Sequence, residues 1–355
     1  MRQGSIKFRK IVGGYHKCKN EKSKCKIFAE IISLENLFLA WREFSDGKMK
    51  KKDVLEFKSK LEDNIFQLHR ELRYRTYQHS HYTAFNVCDP KPRRIHKAIV
   101  KDRVLHHAIF RILYPIFDKS FIFDSYSCRT GKGTHKAVKR LEKFSRKLSE
   151  NNTKNIFALK CDIRKFFASI NQDILSELIR KKVVDDNAIW LIEKIVKSFP
   201  AGLPLGNVTS QLFANIYLNE LDQLAKHKLK AKYYLRYCDD FIILSDNADY
   251  LQDLILVINN FLQENFNLCL HPNKITIRKY RQGIDFLGYV VLPHHKVLRT
   301  KTKRRMFRKI RQKYIAFRSG AISENYFYAS LQSYLGILKH CKGHKIRKDM
   351  EMLFL

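Results

Sequence analysis

Three carboxylates in this chain are placed where they could do chemistry together. The segment LRYCDDFIIL, residues 235–244, sets Asp239 and Asp240 side by side between two apolar, β-prone runs. In a chain of formal net charge +35, two adjacent carboxylates need something to offset their repulsion. Solvent, basic side chains or a bound cation could each do so. A third carboxylate, Asp162, ends another apolar run, NIFALKCDI, residues 155–163. Carboxylates converging at strand ends form a hard-oxygen site suited to Mg²⁺, which takes one or two carboxylates and shares phosphate oxygens and waters. Two such ions about 3.5–4 Å apart would clamp the attacking and leaving oxygens of a phosphoryl transfer. Taken alone, an Asp-Asp pair is also a common solvated turn. Adjacent side chains on a strand point to opposite faces. Asp162 and Asp239 are therefore the expected main ligands. Asp240 is expected to point away as a supporting carboxylate, unless the turn redirects it.

The elements that must position these groups follow from local pattern. Residues 31–80 read as helical, with Leu34, Leu37, Phe38 and Trp41 at helical spacing. The segment YTAFNVCDPKPRRIHKAIV reads as extended, because Pro90 and Pro92 break any helix there. Residues 102–116 resume a helical pattern up to and around Pro115. After the Asp162 strand, NQDILSELIRKK reads as a helix capped by Asn171. A proline- and glycine-bearing loop, FPAGLPLG, leads into a helix with Thr209 or Ser210 as its cap. KYYLRY and FIILS read as two strands joined at Cys238, Asp239 and Asp240. A helix near residues 251–266 and extended pieces at KITIRKY and IDFLGYVVL follow. From Arg299 onward the chain is basic and mostly helical. The fold class is α+β.

With 355 residues, the chain suggests two or three lobes. Its 45% hydrophobic content argues against general disorder. Lys and Arg number 69 against 34 Asp and Glu, which implies a polyanionic partner, most often nucleic acid. No apolar run reaches the length of a membrane span, and the N-terminus has no signal core, so no membrane and a cytoplasmic setting are expected. The eight cysteines are scattered with no CxxC pair, which fits a reducing compartment. Neither His16, Cys18 and Cys25 nor His340, Cys341 and His344 have structural-zinc spacing. RTGKGTH is not a P-loop: Tyr126 stands where the first glycine belongs, and Gly133 follows Lys132 where Ser or Thr is needed.

The blocks taken together carry a family resemblance. YCDD resembles the YxDD box of reverse transcriptases, and LKCDIRKFFASI resembles the block carrying their first catalytic aspartate. FLGYVV is similar to the segment that grips the primer end. The blocks run in the family's order over roughly residues 80–300. The resemblance implies a right-hand polymerase. A basic N-terminal arm (residues 1–30) would precede N-terminal helices and fingers (31–155), a palm (156–298) and a helical basic thumb (299–355). The loop LPLGNVTSQ has Leu205 and Gln211 where most families carry Gln and Pro. With SYSCRTGKGTHKA upstream, it resembles reverse transcriptases of diversity-generating retroelements, related to group II intron-type bacterial enzymes. Those enzymes copy a template-repeat RNA with frequent errors opposite adenine.

What the resemblance implies residue by residue is as follows. Asp162, Asp239 and Asp240 are the catalytic carboxylates, with the Ile163 carbonyl lending a further ligand to two Mg²⁺ ions, for which Mn²⁺ could substitute. Phe167 is the aromatic steric gate against a 2′-hydroxyl; one of Phe166 and Phe167 is expected to pack inward. Leu205 takes the position of a nucleotide-contacting glutamine, flanked by Gly206, with Gln211 in the same block. An apolar side chain there cannot hydrogen-bond the nucleotide, which predicts lower fidelity. Lys91 and Arg94, with Arg93 and Lys97, would bind triphosphate, and Lys274 would protonate the leaving group. Arg129, Lys132 and His135 would touch template backbone. The helix bearing Arg304, Arg305, Arg308, Lys309, Arg311 and Lys313 would follow the phosphates of an RNA–cDNA hybrid. The implied partners are template RNA, dNTPs and a small basic oligomeric accessory protein. An anti-phage defence or intron-derived reverse transcriptase is the nearest alternative. A non-catalytic RNA-binding protein is a further one, disfavoured by the three aspartates.

Overall fold

The computed structural model describes residues 26–89 and 91–352. Of the basic arm expected over residues 1–30, residues 1–25 lie outside the described residues, as do His16, Cys18, Cys25 and Pro90.

Four helices open the described chain: α1 (Ile27–Ile32), α2 (Leu34–Ser45), α3 (Lys52–Ser59) and α4 (Leu61–Arg73). Ser33 separates the first two and caps α2, its side chain accepting from the Asn36 N–H. Leu37, Ala40, Trp41 and Phe44 recur at helical spacing and are buried, so α2 lays one apolar face on α5 (Val100–Asp118). The extended segment is a hairpin, β1 (Thr83–Val87) with β2 (Arg93–Lys97), Asn86 opposite Arg94. Helix α6 (Thr134–Leu148) leads to β3 (Phe157–Asp162). The short helix α7 (Phe166–Ser169) then precedes α8 (Gln172–Arg180), α9 (Asp186–Val196) and α10 (Val208–Gln223). Asn171 caps α8 as its sequence predicts, accepting from the Asp173 and Ile174 N–H groups. The expected cap of α10 is displaced: Asn207 holds that position, while Thr209 turns inward to His106.

The remaining strands are β4 (Tyr234–Tyr237), β5 (Asp240–Ser245), β6 (Thr276–Lys279), β7 (Ile284–Phe286), β8 (Tyr289–Val291) and β9 (Lys296–Leu298). Helix α11 (Ala248–Phe266) sits between β5 and β6, and α12 (Thr300–Arg318), α13 (Glu324–Leu338) and α14 (His344–Glu351) complete the described chain. Strands β4, β5, β3 and β6 form an antiparallel sheet in that order, and β7–β9 form a separate meander. The central sheet divides two apolar cores. Leu159, Cys161, Phe241 and Ile243 face the larger one, with α10 and α11. Ala158, Leu235, Ile242 and Leu244 face the smaller, with α6, the meander and the first C-terminal helices. Antiparallel sheets and segregated helices make an α+β fold, as expected.

One buried ion pair fixes the edge of this sheet that matters most. Arg236 and Asp222 are both fully buried. The guanidinium makes a bidentate pair to Asp222, Nε to Oδ1 at 2.7 Å and one terminal nitrogen to Oδ2 at 2.6 Å. Its remaining donors reach the Ser125 hydroxyl, Asn215 Oδ1 and the carbonyl of Cys238. Tyr234 donates to the same carboxylate at 2.6 Å. The segment 124–126 closes the outer edge of β4, Arg236 donating its N–H to the Asp124 carbonyl and accepting from the Tyr126 N–H. Breaking a buried pair strands an uncompensated charge. Asp222→Leu is therefore expected to lower the unfolding free energy by about 3–5 kcal/mol in urea titration. Adding Arg236→Met should recover most of that loss. A single-variant loss below about 1 kcal/mol would remove the pair from this structural role.

Candidate active site

The two aspartates at the hairpin occupy different structural positions. Tyr237 pairs with Asp240, so Cys238 and Asp239 form a two-residue turn. Cys238 takes a left-handed backbone at φ 57°, a region non-glycine residues seldom enter. The Arg236 hydrogen bond to its carbonyl, 2.9 Å, helps hold it there. Asp240 begins β5 and lies directly opposite Asp162 of β3. Directly opposed residues on antiparallel strands share a face. This corrects the expectation that Asp240 points away: alternation runs from Asp240 inward, and Asp239 is outside it because it belongs to the turn.

Like charges directly opposed on a sheet repel, and two lysines offset that here. Lys274 Nζ lies 2.7 Å from Asp162 Oδ1, and Lys160 Nζ lies 3.3 Å from Asp240 Oδ2. Lys160 also donates to the Asp285 carbonyl at 2.9 Å, tying the β7–β8 hairpin to the carboxylates. Burial pushes the Asp239 carboxyl above its ordinary range, and the Asp162 charge adds to this. Burial likewise pushes Asp240 up to about 6, against the opposing pull of Lys160. Asp240 Oδ1 is buried with no hydrogen-bond partner among the described residues.

These features fit a hard divalent cation. Desolvated carboxylates with an orphaned buried oxygen gain most from a positive charge placed between them. Among the described residues, no three His, Cys, Asp or Glu side chains close into a metal cage of their own. Mg²⁺ does not need one, since waters and substrate phosphates complete its shell. Asp162, Asp239 and Asp240 would hold it. Ile163, buried and bridged to Leu270, follows directly after Asp162. The bound cation would supply charge stabilisation to a transferring phosphoryl group.

The flanking residues divide. Phe166 is buried and Phe167 half-buried against the same core, the two rings edge to face at 5.4 Å. The Phe167 carbonyl accepts from the Leu203 N–H at 2.7 Å. Gly202 has φ 67°, and a Cβ there would stand 2.3 Å from the Phe167 carbonyl, so only glycine fits. At the far end of this loop, the Leu205 carbonyl accepts from the His96 N–H of β2 at 2.9 Å, and Gly206 packs on the His96 carbonyl. Leu205 is half-buried; Gly206 and Gln211 are exposed. Lys91 and Arg94 are exposed on the β1–β2 hairpin.

Two expected template contacts fail on geometry. Arg129 spends its guanidinium on Asp118 and on the carbonyls of Ile122 and Ser125, with its side chain 7% exposed. Lys132 donates to the Phe123 carbonyl and sits 3.4 Å above the Phe123 ring. Both hold the 123–131 loop rather than present charge to a strand. On α12, Arg304, Arg308 and Arg311 line one groove, with Phe307 between them. Arg305 lies off that stripe, 3.7 Å from Asp89, and Lys309 lies 3.6 Å from the same carboxylate. Sequence reasoning missed Lys160, Asp222 and Arg236. An arginine two residues before a turn in an otherwise apolar strand was the available signal.

Residues 89–291 match the family model described as reverse transcriptase (RNA-dependent DNA polymerase). The chain belongs to the reverse transcriptase family. Protein YkfC of Escherichia coli K12 is 23% identical over 58% of this chain and 62% of its own. A putative COX1/OXI3 intron 2 protein of Saccharomyces cerevisiae is 20% identical over 54% of this chain and 29% of its own. The group II intron-encoded protein LtrA of Lactococcus lactis is 30% identical over 37% of this chain and 22% of its own. The chain thus spans less than two thirds of the length of these relatives. Apo telomerase from Candida tropicalis is 15% identical with a TM-score of 0.48, covering 67% of this chain and 53% of that one. No helix among the described residues is long and apolar enough to cross a membrane.

The raised pKa of Asp240 has a sign that can be tested. The folded state binds an extra proton between the ordinary value of 3.8 and about 6. Stability of the metal-free protein therefore falls as pH rises through that window and stays lower above it. The difference is worth up to about 3 kcal/mol. Asp240→Asn should raise the melting temperature in chelator at pH 7.5 and leave it nearly unchanged at pH 4. An equal change at both pH values would show that the buried charge is not the cause.

Proposed function

We propose that this chain is an RNA-directed DNA polymerase that copies a template-repeat RNA into adenine-mutagenised cDNA for a diversity-generating retroelement. The observation that supports polymerisation is the convergence of Asp162 and Asp240 across β3 and β5, with Asp239 at the turn beside them. In this reading the three carboxylates hold two Mg²⁺ ions, with Mn²⁺ as a substitute, and Arg94 and Lys91 take the triphosphate. Lys274, already 2.7 Å from Asp162, is the nearest ammonium to protonate the leaving group. Phe167 borders the sugar, and the Arg304, Arg308 and Arg311 stripe follows the hybrid. A small basic oligomeric accessory protein is the expected partner, and the cytoplasm the expected setting.

The error-prone part of the reading rests on Leu205. Its backbone is fixed by β2 on one side and by Gly206 on the other, so its side chain is delivered to a set place. That side chain has no donor or acceptor. Polar discrimination of the incoming nucleotide is then missing at this position. A second reading, an intron-type reverse transcriptase, is favoured by the intron-encoded proteins among the relatives.

The test is to express the chain with its flanking non-coding RNA and neighbouring small gene, supply Mg²⁺ and four dNTPs, and sequence the cDNA. Errors concentrated opposite template adenine support the retroelement reading; accurate cDNA moves the assignment to the intron type or to defence. Leu205→Gln should lower the adenine error rate by about tenfold, the worth of one to two hydrogen bonds. Asp239→Ala should abolish extension and leave RNA binding intact. Triple replacement of Arg304, Arg308 and Arg311 by Ala should flatten the salt dependence of hybrid binding by roughly 2–3 log units per decade of salt. An unchanged slope would take the groove off the hybrid's path.

A further inference from the structure

Beyond the carboxylates, the loop that carries Leu205 borders a second cleft. It is a space of about 270 Å³ between the N-terminal helices and the start of α10. Lys48, Arg103 and His107 line one side, and Gly206, Asn207 and Gln211 the other. Among the described residues, no acidic side chain lines it. The field is positive enough that, with burial the larger cause, Lys48, Arg103 and Arg111 push the His107 ring down to about 4.

Two polar atoms on residues lining this cleft are buried with no partner among the described residues, and they are of opposite sense. Arg103 Nε is a donor; its guanidinium is otherwise engaged by Asp53 at 2.5 Å. Asn207 Oδ1 is an acceptor, on a residue 3% exposed. The orientation of the Asn207 amide is set from behind. Its Nδ2 donates to the Tyr82 hydroxyl, which also meets His79 Nε2 and the Ser198 hydroxyl. Thr209, two residues on, is held by His106 Nδ1 at 2.6 Å, and the other ring nitrogen of His106 lies 3.2 Å from His79. A buried polar atom left unpaired is costly and calls for a ligand or a water. One molecule that satisfies both atoms must bring an anionic oxygen to Arg103 and a donor to Asn207.

We propose that this cleft holds one sugar–phosphate unit of the template RNA strand, its phosphate on Lys48 and Arg103 and its 2′-hydroxyl on Asn207 Oδ1. A ribonucleotide unit carries both groups, whereas a deoxyribonucleotide unit has the phosphate and lacks the hydroxyl. The incoming nucleotide is the other source of sugar and phosphate in the molecule. Its triphosphate, however, must reach Asp162, Asp239 and Asp240. Those lie beyond the other end of the loop, where Leu203 bonds to Phe167. A metal-bound triphosphate also calls for carboxylates, which the cleft lacks, while a phosphodiester calls only for cations. Gly206 is exposed at the mouth of the cleft, with its backbone seated on the His96 carbonyl of β2, and its φ of 132° suits glycine alone. The cleft thus reads the sugar of the template at the loop that delivers Leu205 to the nucleotide.

This inference rests on the chain acting on a primed RNA template, and its test reads binding without extension. A DNA primer annealed to an RNA template with a 5′ overhang is bound by the described protein, in Mg²⁺ without dNTPs, and followed by fluorescence anisotropy. Single 2′-deoxy replacements are moved along the overhang. One position should weaken binding by about three- to tenfold, the worth of one hydrogen bond, and its neighbours should not. Asn207→Ala should remove that dependence, while Asn207→Asp, which keeps an acceptor, should retain it. Arg103→Lys should weaken binding to RNA and DNA overhangs alike. The inference is overturned if no overhang position responds in the unaltered protein, or if the dependence survives Asn207→Ala. It is equally overturned if the variants raise the KM for dNTP while template binding stays unchanged, which would assign the cleft to the incoming nucleotide. A protein that shows the positional dependence yet extends no primer keeps this inference and loses the polymerase reading.

Discussion

The active-site turn depends on a charge buried where no solvent reaches it. Arg236 lies fully inside the protein and spends its donors on five acceptors: two Asp222 oxygens, Asn215, Ser125 and the carbonyl of Cys238. Such a group is tolerated only when every donor is answered. The consequence is geometric. The residues that answer it come from α10, from the segment closing the outer edge of β4, and from the turn itself. One side chain thus locks three elements to the hairpin that carries Asp239 and Asp240. An apolar residue in its place could pack as well, but it could not hold the Cys238 carbonyl or the left-handed backbone that aims Asp239.

The carboxylates themselves pull the other way. Asp162 and Asp240 are opposed across two strands, and Asp239 and Asp240 are largely desolvated. Lys274 and Lys160 partly neutralise them in the metal-free state. These two ammonium groups differ in what a cation would do to them. Lys274 is 42% exposed on a short loop and can swing away when positive charge arrives. Lys160 is held by the Asp285 carbonyl as well as by Asp240, so it stays and couples the β7–β8 hairpin to the site. The site is therefore built to be unstable when empty of cation, and the rigid frame around Arg236 is what bears that instability.

Much of this was legible in the sequence. The order of strands and helices, the Asp162 strand, the cap at Asn171 and the hairpin at YCDD each follow from local patterns of apolar spacing and turn residues. What failed were inferences about where side chains point. Alternation puts Asp240 away from Asp162 unless the turn redirects it, and the two-residue turn at Cys238 and Asp239 does redirect it. The family resemblance implies template contacts for Arg129 and Lys132, but it carries no information on where their side chains turn. Their partners, Asp118 and the carbonyls at 122, 123 and 125, are local in sequence, but only folding shows that they face inward. Arg305 shares a helix with Arg304 and Arg308 yet turns to Asp89 of the β1–β2 hairpin. Buried networks such as Arg236 with Asp222 join residues whose pairing no periodicity encodes.

Under the proposed function, copying accuracy would be decided at the loop that carries Leu205. The loop from Gly202 to Asn207 has little backbone freedom, since Gly202 abuts the Phe167 carbonyl and Gly206 the His96 carbonyl. Leu205 is bonded to β2 through its carbonyl, and Asn207 is anchored to Tyr82. If copying is error-prone as proposed, backbone looseness is a poor explanation for it, because the surrounding contacts hold that segment from both ends. What remains variable is side-chain chemistry at a fixed address. A leucine there supplies shape without hydrogen-bonding direction, so it can exclude a bulky misfit and cannot reject a wrong pair of similar size. On the other flank of the loop, Asn207 presents an acceptor. In the proposed reading Leu205 and Asn207, on either side of Gly206 and one apolar, one polar, would divide recognition between the nucleotide being added and the strand being copied.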